Sequence, residues 1–363
     1  MASETAQINP LAHRLAQRIH ATGPISIADY MDEVSAYYYA TRDPFGAAGD
    51  FITAPEISQI FGELIGALCA DYWQRIGAPD PVLLVELGPG RGTLMADALR
   101  ATRYVPGFHR ALRLHLVERS PKLRALQQEK LAAFAPIFHD NIANLPHGPM
   151  LLIANEFLDT LPIRQFERRG ATWHERRIAL AHDGESLTLK LDPQPSLFAA
   201  QLPDAKDGSI AELCPVAASL GKALGTQLAG RGGTALFIDY GYLEGEFGDT
   251  LQAIHRHRPR AVLDEPGSAD LTAHVDFAAF VRAAESRGAQ AYGPVAQRDF
   301  LLRLGLEARK AKLLERATPE QAQAIETGCR RLIDPAAMGA LFKVLALGQR
   351  GAPAPAGFAE AQP

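Results

Sequence analysis

Cysteine is scarce in this chain: three residues in 363, Cys69, Cys214 and Cys329, far apart and odd in number. That usage excludes a disulfide framework and a cysteine-based zinc site, and it fits a reducing compartment. Long apolar runs are missing too. The longest are strand-length, so no membrane-spanning segment is expected. There is no excess of positive charge: 37 Lys and Arg stand against 41 Asp and Glu, a net charge of −4, which argues against nucleic acid as the principal partner. Met1-Ala-Ser-Glu-Thr5 lacks the charged and apolar regions of a secretory signal. Leu11 to His20 is basic and amphipathic in the manner of a transit peptide. It runs into Gly23 to Tyr30, where Ser26 starts a second helix, so it reads as folded structure in a cytoplasmic protein. A eukaryotic source would shift that expectation to the mitochondrial matrix. No internal repeat is present.

What is there begins at residues 82 to 92, Val-Leu-Leu-Val-Glu-Leu-Gly-Pro-Gly-Arg-Gly. A run of β-formers ends in Glu86 and then in Gly88, Gly90 and Gly92, before Thr93 to Arg100 resumes with helical spacing. This is a strand, a tight glycine turn and a helix. Glycine serves where the chain takes positive φ or where a ligand lies against the backbone, and the following helix points free N–H groups at that ligand. A dinucleotide turn reads G-x-G-x-x-G, whereas this one reads E-x-G-x-G-x-G with an acid on the strand. A carboxylate there repels a pyrophosphate but holds an ammonium, directly or through water, as in the methionine part of S-adenosylmethionine. The pattern resembles motif I of class I methyltransferases; the alternative is a βα turn whose glycines serve packing alone.

Further strand ends carry polar residues. Leu112 to Glu118 reads as a second strand, and Glu118 stands where an α/β nucleotide fold places the acid that accepts the ribose hydroxyls, unless it is a solvated strand-end acid. Ser120 and Pro121 then open a helix as N-cap and first turn. Pro136 to Asn141 reads as a short third strand ending in Asp140 and Asn141, with Asp140 either accepting from an adenine amino group or forming a plain turn. Met150 to Ala154 is a fourth strand running into Asn155, Glu156, Phe157, Leu158 and Asp159. In open parallel sheets the ligand crevice lies at the carboxyl ends of the strands, so Glu156 and Asp159, with Asn155, are the candidate catalytic residues. Methyl transfer is an in-line displacement in which the protein positions the acceptor and compensates its charge. Two acids suit a guanidinium, accepting its fork of N–H groups. The alternative is that residues 155 to 159 only cap the next helix.

The segments Gly49 to Glu63, Val85 to Met95, Ile153 to Asp159, Ile238 to Gly241, Asp270 to Phe277 and Tyr292 to Val295 resemble, in order and over nearly the whole chain, the MidA-like methyltransferases. These are relatives of the mitochondrial complex I assembly methyltransferase. The resemblance implies an α/β, Rossmann-like class I methyltransferase fold: a seven-stranded sheet with an N-terminal helical layer and inserted β and helical elements. It also implies S-adenosylmethionine held by the glycine turn, and methylation of a protein arginine on a respiratory NADH:quinone oxidoreductase subunit. Two other readings stay open: a cofactor-binding assembly chaperone without turnover, and a small-molecule methyltransferase.

Residues 1–80 are expected to form the helical layer and a cofactor-covering loop, with Gly49, Asp50 and Thr53 as cofactor contacts and Glu56 beside the sulfonium. The core is expected over 81–350, with a β insertion and helix over about 163–230 and a helical, lid-like insertion over 299–338. Ile210 to Leu228 reads as helix, as does Val275 to Arg287 with Thr272 or Asp270 near its cap, and 351–363 as a disordered Ala/Pro/Gly-rich tail. Asp239, Tyr240 and His274 are further candidates near the acceptor. His255 and His257 are too poorly spaced for one helical face and are read as surface or substrate contacts rather than metal ligands.

Overall fold

The computed structural model describes residues 9–41, 53–243, 246–255 and 258–358. The chain forms two units, one from 52–159, 217–244 and 275–363, the other from 1–51, 160–216 and 245–274.

The first unit is built on seven principal strands: β1 Val82–Leu87, β2 Leu112–Val117, β3 Ile137–His139, β4 Met150–Asn155, β5 Gly233–Tyr242, β6 Ala289–Ala296 and β7 Phe342–Gln349. Their order is β6-β7-β5-β4-β1-β2-β3, all parallel except β7, and a two-residue strand at Val275–Asp276 pairs with the end of β5. Every residue of β1 and β4 is buried, which is why both read as continuous apolar runs rather than alternating ones. The chain winds outward through β2 and β3, then returns to the other side of β1 with β4. The strand order therefore reverses between β1 and β4, and in such sheets the ligand crevice opens at the carboxyl ends flanking that reversal.

Helix Gln59–Arg75 packs against helix Thr93–Thr102 because Gly62 and Gly66 lack side chains. A Cβ on Gly62 would stand 2.7 Å from the Asp97 side chain, and one on Gly66 would stand 2.6 Å from the Ala98 backbone. Helix Pro215–Arg231 belongs to this unit from Ala217 onward, so the insertion expected over 163–230 ends earlier than its apolar helix suggested. Four helices, Gln297–Arg303, Leu306–Leu314, Pro319–Ile333 and Met338–Leu341, fill the expected helical insertion. The tail is ordered through Phe358, which is buried with its ring 5.3 Å from that of Phe300, correcting the expectation of disorder from residue 351. An aromatic side chain in an otherwise small-residue tail supplies the anchor; residues 359–363 lie outside the described part.

The second unit holds helices Pro10–Thr22 and Ile27–Thr41, so the helical layer expected over 1–80 is divided between the two units. Leu11, Leu15 and Ile19 of the first helix are buried with Tyr30, Val34, Ile163, Ile178 and Leu271. The amphipathic face that mimics a transit peptide is a packing face here. The inserted strands Arg164–Arg169, Thr172–Leu180 and Leu187–Pro195 form one antiparallel sheet with Ile25–Ser26 and Ile210–Leu213. Ile210–Leu213 was expected to be helical; it pairs with Arg164–Glu167, and the helix begins only at Pro215. Gln252–His255, Arg258–Arg260 and Asp270–Thr272 make a small second sheet, placing Asp270 and Thr272 on a strand. The helix after them runs from Phe277 to Glu285, and its N-cap is Asp276, whose carboxylate accepts from Ala279 N at 2.8 Å.

Candidate active site

The glycine turn leaves β1 with all three glycines left-handed, Gly88 at φ 61°, Gly90 at 54° and Gly92 at 71°. No other residue type takes three such positions so closely spaced without strain. A Cβ on Gly88 would also meet the Phe157 ring at 3.1 Å. Gly92 is the N-cap of helix Thr93–Thr102, whose first N–H groups face the turn. Gln127, fully buried in helix Pro121–Leu131, donates to Gly90 O at 2.7 Å and to Glu118 Oε2 at 3.3 Å, so one amide fastens the turn to the second strand's acid. Sequence reasoning missed it. The available signal was a polar residue on the stripe shared with Leu123 and Leu131, both buried.

Glu118 follows β2 directly. Its Oε1 accepts from Ser120 N at 2.8 Å; burial raises its carboxyl above the ordinary range against the pull of its hydrogen bonds from Ser120 and Gln127. Ser120 caps the next helix through Leu123 N, with Pro121 in its first turn, as its sequence indicated. Asp140, at the end of β3, is exposed and ion-paired with Arg124 at 2.8 Å. Asn141 spends its side-chain oxygen on Ala143 N, capping a short 3-10 turn. Glu86 is buried inside β1, and desolvation pushes its carboxyl up to about 8. Its Oε2 has no hydrogen-bond partner among the described residues. A buried carboxylate oxygen of this kind, beside three left-handed glycines and with a second buried acid, Glu118, just past the end of the neighbouring strand, fits the ammonium, the adenosine and the close backbone approach of S-adenosylmethionine.

The second cluster leaves β4. Leu87 of β1 pairs with Ala154, and Asn155 pairs with Ile238 of β5, so the ends of β1 and β4 stand side by side next to β5, which continues to Tyr242. Glu156 is left-handed at φ 49°, an uncommon conformation for a side chain of its size. Its Oε1 accepts from Asn155 Nδ2 at 3.1 Å and from Ala54 N at 3.4 Å. Burial and the neighbouring Asp159 charge push its carboxyl up to about 8. Glu156 as a whole residue is half-buried, and Asp159 is buried. The turn is held by Asp239: a single carboxylate oxygen accepts from Phe157 N at 3.1 Å, Leu158 N at 2.9 Å and Asp159 N at 3.2 Å, and the other oxygen accepts from Tyr240 N at 2.9 Å. Burial and the charges of Asp159 and Glu156 hold Asp239 well above the usual carboxylate range. The candidate acceptor residue thus organises the turn that carries the other two acids. Residues 155 to 159 cap no helix.

Thr53, buried, precedes the short helix Ala54–Ile57, which is followed by Gln59–Arg75 after a break at Ser58. Glu56, offered by the sequence as an acid beside a sulfonium, accepts from Thr93 Oγ1 at 2.6 Å. Gly49 and Asp50 lie outside the described residues. His274 falls in the other unit, where its N–H donates to Thr250 Oγ1 at 2.9 Å. Among the described residues no group of three or more His, Cys, Asp or Glu could hold a metal ion, and no helix is long and apolar enough to cross a membrane.

A family model for S-adenosyl-L-methionine-dependent methyltransferases matches residues 64–295. The chain belongs to this family. Its relatives include the mitochondrial protein arginine methyltransferase NDUFAF7 homolog of Drosophila melanogaster, 38% identical over 373 residues, spanning 93% of this chain and 84% of that one. The mitochondrial protein arginine methyltransferase NDUFAF7 of Homo sapiens is 34% identical, over 94% of this chain and 83% of its own. Among solved structures, a superfamily member from Burkholderia thailandensis bound to S-adenosyl-homocysteine is 30% identical at a TM-score of 0.83, covering 96% of this chain and 93% of that one. The methyltransferase is therefore a MidA-like, S-adenosylmethionine-dependent enzyme with the class I fold expected of its motifs.

Proposed function

We propose that this methyltransferase transfers the S-methyl group to a guanidinium nitrogen of an arginine side chain in a protein, and that the acceptor belongs to a subunit of respiratory NADH:quinone oxidoreductase. The observation that carries the reading is the gathering of half-buried Glu156 with buried Asp159 and Asp239 at the carboxyl end of β4 and beside it on β5, where desolvation and their mutual charge raise the Glu156 and Asp239 carboxyls. Three carboxylates sharing one desolvated site are costly unless a cation joins them, and a planar guanidinium with a fork of N–H donors meets two of them at once. The relatives, protein arginine methyltransferases, support a protein arginine, and the resemblance of the motif run to the mitochondrial complex I assembly methyltransferase supports the oxidoreductase.

Bound S-adenosylmethionine supplies an electrophilic methyl group on a sulfonium. Gly88, Gly90 and Gly92 with Glu86 and Glu118 bind it, and Thr53, Asp140 and Asn141 stand as its further contacts. Glu156 and Asp159 hold the acceptor guanidinium, with Asn155 orienting Glu156 through its 3.1 Å hydrogen bond. As the new C–N bond forms and the C–S bond breaks with its electrons on sulfur, the substituted nitrogen sheds one N–H proton to the Glu156 carboxylate. Only ionised Glu156 can take it. Transfer should therefore rise with pH through about 8 and level off above.

Glu156→Gln should lower single-turnover transfer roughly 10²-fold, the scale of one lost transition-state electrostatic contact, with cofactor affinity nearly unchanged. The acceptor used is NADH:quinone oxidoreductase purified from cells lacking the methyltransferase, with labelled methyl located by mass spectrometry. Transfer to no arginine despite bound cofactor would overturn the reading in favour of an assembly chaperone.

A further inference from the structure

The four-residue helix Ala54–Ile57 touches three parts of the unit that carries the site. At its first residue, Ala54 N donates to Glu156 Oε1 at 3.4 Å. In its middle, Glu56 Oε1 accepts from the Thr93 hydroxyl at 2.6 Å, and that hydroxyl accepts in turn from Lys130 Nζ at 2.9 Å. At its last residue, the Ile57 carbonyl lies where a Cβ on Gly328 would stand only 2.9 Å away, so helix Pro319–Ile333 closes against it with no slack. Thr93 is the first residue after Gly92, the last glycine of the cofactor turn. One short element is thus tied to the cofactor turn by a charge-assisted hydrogen bond and to the acceptor carboxylate by a backbone N–H.

We propose that Glu56 and Thr93 are a positioning pair: their hydrogen bond sets helix Ala54–Ile57 against the cofactor turn and so keeps the Glu156 carboxylate in register with the methyl group to be transferred. The inference rests on the reading of Glu156 as the acceptor's acid. Neither member of the pair reaches the reacting atoms. Their effect is on distance and on the ionisation of Glu156. In-line displacement tolerates little misplacement, an ångström costing about 10²-fold in unfavourable cases. Glu156 is faced by Asp159 and Asp239, whose charges oppose its ionisation, and by Arg331, which together with the Asn155 amide and the Ala54 N–H favours it. Releasing the helix withdraws the N–H and leaves the opposing charges in place. The Glu156 carboxyl must then titrate at still higher pH.

The test uses the full chain with Thr93→Val, Glu56→Gln, the double variant and Thr93→Ser. Affinity is measured calorimetrically with S-adenosylhomocysteine, and single-turnover transfer is followed across pH on NADH:quinone oxidoreductase from cells lacking the methyltransferase. Both single variants should bind S-adenosylhomocysteine as the wild type does, transfer about tenfold more slowly, and show a pH midpoint moved upward. The double variant should be no slower than either single one, and Thr93→Ser should restore rate and midpoint because it keeps the hydroxyl. An unmoved midpoint overturns the proposal, as does a double variant slowed by the product of the single effects. Glu156→Gln run in parallel separates the two ideas. If it loses the rate while Thr93→Val keeps rate and midpoint, only the positioning pair falls; if it transfers normally, the acceptor reading falls and takes the pair with it.

Discussion

Two turns leave neighbouring strands of the same sheet, and both pass through left-handed backbone, yet they do so by different means. After β1 the left-handed positions are Gly88, Gly90 and Gly92, which take that conformation at little cost and need no neighbour to enforce it. After β4 the left-handed position is Glu156, and the turn around it is held by the Asp239 carboxylate eighty residues further along. One shape is written locally; the other is imposed by packing and hydrogen bonds. The cofactor turn should therefore be broken by changing its own residues alone, whereas the acid turn should respond to a residue outside it. Strain in such a place is tolerated where the surroundings over-determine it, as they do here.

The largest effect expected is that of Gly90→Val. A branched side chain at φ 54° is both strained and set in the space of the ligand, so cofactor binding should weaken by more than about 4 kcal/mol. Calorimetry with S-adenosylhomocysteine reads this, and an affinity within tenfold of wild type would show the turn is not the cofactor's seat. Next comes Asp239→Ala, which deprives four buried or half-buried N–H groups of their acceptor. Denaturant unfolding should show a loss of about 3 kcal/mol, and transfer should fall while cofactor affinity holds. Equal losses of affinity and transfer would erase the distinction between the turns.

Glu118→Ala should cost about 1 to 3 kcal/mol of cofactor affinity, the usual consequence of removing a charge-assisted hydrogen-bond pair. A wild-type dissociation constant would leave Glu118 as a fastening for Gln127 and Ser120 only. The smallest effect sharpens the comparison most. Glu156→Gly gives the acid turn the residue type its backbone prefers, so the variant should gain about 1 kcal/mol of stability while losing transfer. The gain should grow with pH. The folded-state value of Glu156 lies near 8, above its ordinary 4.5, so its protonated form stabilises the fold fully below 4.5 and that contribution is lost as pH rises through about 8. Melting temperatures of the two proteins that stay parallel across this range would count against a desolvated, protonated Glu156 carboxyl.

Much of the core was legible before any coordinates. Continuous apolar runs marked β1, β4 and the centre of β5, because strands covered on both faces have no polar side to alternate with. Ser120 and Pro121 marked a helix start by chemistry that acts within a single turn. Ile210–Leu213 was not legible as a strand, since Ile-Ala-Glu-Leu suits either conformation and its pairing with Arg164–Glu167 decides. The same holds for Gln252–His255, whose partners come from two later segments. Asp239 was visible as the acid after the apolar run Thr234 to Ile238, but it lies within β5 rather than at its end, and nothing near it in the chain tells that it grips residues 157 to 159.

The amino-acid sequence by itself determined the proposed cofactor side of this methyltransferase: an acid on a strand, three glycines at alternate positions and a second acid one strand later act through backbone freedom and charge that belong to those residues. Only the tertiary structure decided the acceptor side. The gathering of Glu156, Asp159 and Asp239, the suppressed ionisation of Glu156 and Asp239, and the left-handed turn between them arise from the meeting of β4, β5 and helix Ala54–Ile57, which no local pattern encodes. Desolvation and long-range hydrogen bonds act only between groups that folding has brought together.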